Sequence, residues 1–242
     1  MPPALPKRLL AEVIGTFGFF FIGFCGIAAS VTQPPGAILS IGVAAGFGFG
    51  LAAMIFAFGH VSGGHYNPAV TLGLTFAKRF PAGEIVPYWV AQIVGGVLAS
   101  LVLRLVFNHA ILHQVLTLPG HGISDGKAFA LELILTFLFV LVITTVATDK
   151  RAPWNGVFAP FAIGLFIFTA ATTVGPMSGG SFNPARSLTP ALIDGHFPHQ
   201  WIYIVAPLLG GAIGGIVHSI FKEPETHVEA GAAVSTREAT TG

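Results

Sequence analysis

The sequence predicts an all-α membrane protein: six transmembrane helices and two re-entrant half-helices, arranged as an inverted repeat. Three observations carry this. Of the 242 residues, 53% are hydrophobic and only 9% charged, with a mean hydropathy of +0.80. Soluble domains carry roughly 25% charged residues and could not hide that much apolar surface. An eight-position pattern occurs twice, as Ser62-Gly63-Gly64-His65-Tyr66-Asn67-Pro68-Ala69 and Ser178-Gly179-Gly180-Ser181-Phe182-Asn183-Pro184-Ala185. Each copy follows two long apolar runs and precedes a third, so each half holds an odd number of spans and the halves must lie in opposite orientations.

In chain order, Lys7-Arg8 precedes an apolar stretch that continues past Val31 without a convincing cleavage site, so Leu9 to Val31 is read as the first span and not a signal peptide. A turn at Gln33-Pro34-Pro35-Gly36 leads to the second span, Ala37 to Ala57. Gly59 to Tyr66 is an irregular loop, and a half-helix runs from Pro68 to about Ala77, where Lys78-Arg79-Phe80-Pro81 breaks it. Ile85 to Phe107 is the third span, and Asn108 to Gly126 a polar linker. Leu131-Glu132 opens the fourth span, which runs to about Ala147, and Asp149-Lys150-Arg151-Ala152-Pro153 is a polar turn. Val157 to Val174 is the fifth span, Gly175 to Phe182 the second loop, Pro184 to Ile193 the second half-helix and Trp201 to Phe221 the sixth span. The expected organisation is therefore one channel-like domain over residues 1–221, with repeats at about 8–107 and 128–221 and a disordered cytoplasmic tail over 222–242. The repeat extends beyond the loops, since Glu12-x3-Thr16-Phe17 matches Glu132-x3-Thr136-Phe137.

With the N-terminus inside, Lys7, Arg8, Lys78, Arg79, Lys150, Arg151, Lys222 and Arg237 fall on the cytoplasmic side, and Arg104, Lys127 and Arg186 do not. Eight against three is a positive-inside bias. The net charge of +1 gives no reason to expect nucleic acid, and Cys25 has no second cysteine to pair with.

Each motif copy reads as a helix start. Asn is among the best N-caps, and Pro suits the first helical position because its missing N–H would have no partner there. Eight or nine residues at about 1.5 Å each cover roughly half of a ~30 Å hydrocarbon core. Inversion brings the two starts face to face at mid-membrane, where irregular backbone is tolerated only inside protein or along a wet cavity. Gly63, Gly64, His65, Gly179, Gly180 and Ser181 then offer carbonyls to that cavity, and Asn67 and Asn183 cap with their oxygens while aiming their NH₂ groups at it. Two positive helix ends meeting there favour a neutral hydrogen-bonding molecule over a cation.

Asn67-Pro68-Ala69, Asn183-Pro184-Ala185, the repeated Glu12 and Glu132, Arg186 and the six-span layout together resemble the aquaporins, or major intrinsic proteins, over about residues 8–221. The resemblance implies an aquaporin-like right-handed bundle, a homotetramer with one pore per subunit, and passive conduction of water and small neutral solutes in the plasma or inner membrane. It implies no cofactor, no metal and no enzymatic activity. It places the selectivity filter at Phe47, Ala171, Gly180 and Arg186. Ala191, Tyr203 and Ile204 are most similar to the nodulin-like branch and its bacterial relatives. Ser187 stands where glycerol facilitators carry Asp, and Ala171 where water-selective members carry His. The reduced side chains at Ala171 and Gly180 predict a mouth wider than a water-only pore, unless His121 or Ile123 of the linker fills the gap.

Other readings are weaker. Glu12 and Glu132 as proton-relay carboxylates would make this an ion-coupled transporter, but their matched places fit bracing of the two loops. Arg186 as an interfacial snorkelling residue conflicts with its place in a half-helix's first turn. His60 and His65 stand five apart, a spacing that suits neither common zinc motif. A low-permeability structural protein would need an adhesive outer surface, which the Asn108–Gly126 linker is too short to supply.

Overall fold

A computed structural model describes residues 3–33, 37–149, 151 and 156–221, with backbone only at 37–40. The turn residues 34–36, Lys150 and 152–155, and the expected tail at 222–242, lie outside the described residues, as do three of the cations in the charge argument (Lys150, Lys222 and Arg237). The chain forms α1 (Leu5–Thr32), α2 (Ala37–Ser62), α3 (Pro68–Phe76), α4 (Ile85–Val106), α5 (His109–Gln114), α6 (Asp125–Thr148), α7 (Ala159–Thr173), α8 (Gly175–Ser178), α9 (Pro184–Asp194) and α10 (Gln200–Ile220), with a single 3₁₀ turn before α4.

The two half-helices run from the centre to opposite faces. On one face α3 ends near Arg79, and Arg8 at the start of α1 grips Glu84 before α4 through two bonds of 2.6 and 2.7 Å. On the other face α9 ends beside α4, where Arg104 donates to the Ile193 carbonyl at 3.2 Å. α3 and α9 have 9 and 11 residues. At about 1.5 Å per residue they are roughly 14 and 16 Å long, so together they span the membrane thickness that neither spans alone.

Five of the described helices are long and apolar enough to cross a membrane, and α7, at 15 residues, is shorter. The sequence predicts α7 over Val157–Val174. Residues 156–158 form a turn instead, and Gly175-Pro176 starts the separate α8. α6 begins six residues earlier than its apolar run, at Asp125, because Ser124 caps it by accepting from Lys127 N. The linker is not wholly irregular, since Asn108 caps α5 by accepting from Ile111 N at 2.9 Å. α2 continues to Ser62, so the first irregular loop is confined to residues 63–67.

Small residues set how closely the helices approach. A Cβ on Gly211 would collide with the Ala69 carbonyl, one on Gly215 with the Gly73 carbonyl, and ones on Gly95 and Gly210 with the Val13 and Leu133 carbonyls. α10 therefore lies almost backbone to backbone on α3, which leaves no room for a side chain at these crossings.

Candidate functional site

Asn67 and Asn183 act as the sequence predicts at the helix starts: Asn67 Oδ1 accepts from Ala69 N at 2.8 Å, and Asn183 Oδ1 from Ala185 N at 3.0 Å and Arg186 N at 3.4 Å. Pro68 and Pro184 follow at the first helical positions, and Ala69 and Ala185 are fully buried between the half-helices and their neighbours. The NH₂ groups differ from expectation. Asn67 Nδ2 donates across the centre to the Phe182 carbonyl at 2.8 Å, and Asn183 Nδ2 to the Tyr66 carbonyl at 2.9 Å. One N–H of each amide ties the loops together, and the second remains for whatever occupies the lumen.

Tyr66 and Phe182, just before the caps, hold left-handed backbone at φ 49° and 51°. A non-glycine residue pays for that conformation with strain, so the surroundings must impose it. Glu12 and Glu132 do so. Glu12 accepts from Ser62 Oγ at 2.7 Å, His65 N at 3.0 Å, Tyr66 N at 2.8 Å and Gln92 Nε2 at 2.9 Å. Glu132 accepts from Ser178 Oγ at 2.7 Å, Ser181 N at 3.0 Å and Phe182 N at 2.7 Å. Both carboxylates are fully buried and line neither cavity described below. That geometry supports bracing over the relay reading.

The bracing role of two tyrosines in this scaffold escapes the sequence reading. Tyr88 OH donates to the Ser62 carbonyl at 2.8 Å and Tyr203 OH to the Ser178 carbonyl at 2.7 Å, fixing the start of each loop. The available signal is a second repeat, a Tyr seven residues ahead of Gly95-Gly96 and of Gly210-Gly211.

Two adjoining cavities lie within the bundle. A vestibule of about 460 Å³ opens on the Arg79 face and is lined by His60, Gly63, Gly64, His65, Arg79 and Thr148 among others. It meets a constricted segment of about 20 Å³ at Leu51, His65 and Phe139. A cavity needs roughly 10–15 Å³ to hold one water, so this segment has room for about one water at a time. Phe47, Ala171, Gly180 and Arg186 all line it, with Asn67, Asn183, Ser181, Phe19 and Phe182. Gly179 lines neither cavity and backs onto Leu118 of the linker, in left-handed backbone at φ 97°.

At 4% exposure Arg186 is buried, so the snorkelling reading does not hold. Its guanidinium lies 5.1 Å from the Phe47 ring centre and 5.7 Å from that of Phe24, and Nη1 donates to the Val115 carbonyl at 2.7 Å. Its Nε, also buried, has no partner. The linker therefore reaches the constriction through Val115, and not through His121, which is exposed, or Ile123, which packs with Ala128, Ile202 and Tyr203.

His65 stands where the two cavities join, between the Phe80 and Tyr88 rings. Thr71 Oγ1 donates to the Asn67 carbonyl and accepts from Gln92 Nε2, so the His65 Nδ1 contact at 3.1 Å is a donation to Thr71. Nε2 is left as a bare acceptor. His60 lines the vestibule separately.

Comparisons with known proteins agree with this geometry. Residues 3–218 match the family model described as Major intrinsic protein. The chain is 40% identical to Aquaporin NIP1-1 of Oryza sativa subsp. japonica over 216 residues, covering 89% of this chain and 74% of that protein. It is 40% identical to Nodulin-26 of Glycine max, covering 89% of this chain and 78% of that protein. Aquaporin Z of Bradyrhizobium diazoefficiens is 38% identical over 93% of this chain and 98% of its own length. The aquaglyceroporin structure from Plasmodium falciparum shares the fold, with a TM-score of 0.78 at 24% identity, covering 90% of this chain and 95% of that one. The chain belongs to the major intrinsic protein family, on the branch side of its nodulin-like members and their bacterial relatives.

Proposed function

We propose that the protein is a passive membrane channel for water and small neutral solutes that excludes protons and ions. The observation that carries this reading is the meeting of two helix N-termini, cross-tied by Asn67 and Asn183, on a lumen of about 20 Å³ that also holds the Arg186 guanidinium. A cation entering there meets two positive helix ends and a fixed positive side chain in low-dielectric surroundings. A neutral molecule finds donors from Asn67, Asn183 and Arg186 and an acceptor from His65. The filter roles of Phe47, Ala171, Gly180 and Arg186 belong to the same proposal. Water fits the constriction as it stands, and a solute of glycerol or urea size passes when Arg186 and Phe47 separate, because Ala171 and Gly180 place almost no side chain opposite.

The same reading makes residues 1–221 one channel domain that assembles as a homotetramer, in the plasma or inner membrane with both termini cytoplasmic. Family membership supports the assembly, and the cations Lys7, Arg8, Lys78 and Arg79 ahead of and between the first spans support the orientation. Catalysis forms no part of it, since the relatives are channels.

Stopped-flow light scattering on proteoliposomes, comparing water with glycerol and urea, tests the proposal. Flux should follow the osmotic or solute gradient and ignore imposed pH gradients and membrane potential. Accumulation of a solute above its external concentration would overturn the channel reading in favour of an ion-coupled transporter.

A further inference from the structure

On the face away from the vestibule, α5 and α9 are tied together at both ends of α9. At one end the Val115 carbonyl, one residue beyond α5, accepts from Arg186. At the other, Asp194 closes α9 with a carboxylate that is only 2% exposed, sandwiched between two half-exposed imidazoles. His109 Nε2 lies 3.1 Å from Oδ1 and His113 Nδ1 3.0 Å from Oδ2. The two histidines stand four apart and so share one face of α5. His113 is two residues from Val115, which leaves little slack between this contact and the one on Arg186.

We propose that Asp194, His109 and His113 are positioning residues for Arg186, holding the Val115 carbonyl on the guanidinium, and that their grip tightens when the imidazoles are charged. The proposal rests on the channel reading above. Asp194 Oδ1 is buried and has no aligned hydrogen bond, since His109 approaches it off the line of an N–H bond. A buried carboxylate oxygen without a donor calls for a cation, and a charged imidazole on each oxygen supplies it. Histidine is the side chain whose charge ordinarily changes between pH 5 and 8. The other charged or titratable groups on the elements around α5 are few. Arg104 of α4 bonds the Ile193 carbonyl and not the carboxylate, the His196 ring lies tilted 5.8 Å from that of His113, and the adjoining half of α1 brings only Cys25 among its described residues. When the grip loosens, Arg186 is released from Val115. Its buried Nε has no bond to hold it back, and the side chain moves into the constriction that it already lines.

The test is water permeability of proteoliposomes between pH 5.5 and 8, with thermal denaturation of each variant as the check on folding. Wild type should lose about two- to fivefold of its water flux as pH rises, the range expected when partly exposed ion pairs are lost. Asp194→Asn and the double change His109→Gln with His113→Gln should give a flat, low profile. His113→Lys keeps the positive charge at every pH and should give a flat, high profile. His121→Gln should leave the wild-type profile unchanged. A flat wild-type profile with normal water flux overturns the proposal alone, as do folded Asp194 or double-histidine variants that keep the wild-type pH dependence. If those variants do not fold, His113→Lys decides, and a wild-type fall in its flux overturns the proposal. A wild type that moves no water at any pH overturns the channel reading and this proposal with it.

Discussion

Gln92 and Pro207 occupy matching places, each four residues after the tyrosine that bonds a loop serine, yet only Gln92 touches a bracing carboxylate. Glu12 consequently accepts four bonds and Glu132 three. The Gln92 Oε1 is buried and has no partner.

This asymmetry predicts different responses to the same change. In Glu12→Gln the new NH₂ faces a backbone donor, but Gln92 can turn its amide and accept from it. In Glu132→Gln nothing on Pro207 can do so. Glu132→Gln should therefore destabilise the folded protein more than Glu12→Gln, by about 1–3 kcal/mol, the cost of one unsatisfied buried polar group. Equal losses of melting temperature in detergent would show that Gln92 does not compensate.

Arg186→Val should leave water flux broadly intact and admit protons or cations, because it removes the guanidinium charge from the constriction while keeping both helix ends. Voltage clamp reads this directly. A variant with normal water flux and no current would show that the opposed N-termini suffice for exclusion.

Bulk at the mouth is best added at Ala171. Gly180 has left-handed backbone at φ 62°, and a Cβ there would sit 3.0 Å from the Gly175 Cα. Any side chain at Gly180 thus incurs roughly 1–2 kcal/mol of backbone strain before its effect on flux is felt. Ala171→His alone should suppress glycerol or urea flux while sparing water. Equal suppression of all three would mean that the residue blocks the lumen and does not select.

Gly211→Val and Gly215→Val should each prevent recovery of folded protein, since the first added atom meets the Ala69 or Gly73 carbonyl. Gly83→Val, with open space around its Cβ, is the matched control. Normal expression and melting of the Gly215 variant would mean that α3 and α10 can separate.

What the sequence discloses divides along distance. The caps at Asn67 and Asn183 are legible because Asn-Pro-Ala is a local signal that satisfies its own helix start. The pairing of Glu12 with one loop and Glu132 with the other is legible because the halves repeat. Apolar runs locate most spans within a few residues but miss the start of α6, because hydropathy ignores the Ser124 cap and the polar first turn after it. Val115 and Asp194 give no signal at all. Val115 is an ordinary apolar residue whose backbone oxygen matters, 71 residues from Arg186, and Asp194 looks like a helix stop until α5 folds over it. The cross-tie of the two asparagines is also invisible, since the expected orientation of each amide considers only its own loop.

That cross-tie has a consequence for how the chain is made. The Asn67 amide waits for a carbonyl 115 residues ahead of it, and the Tyr66 carbonyl for an amide 117 residues ahead. During synthesis the first three spans and α3 emerge before either reciprocal bond has a partner. Neither bond can form until α9 is present. The narrowest part of the pathway therefore needs both halves of the chain, and a ribosome that stalls after α6 leaves behind membrane-embedded helices without it.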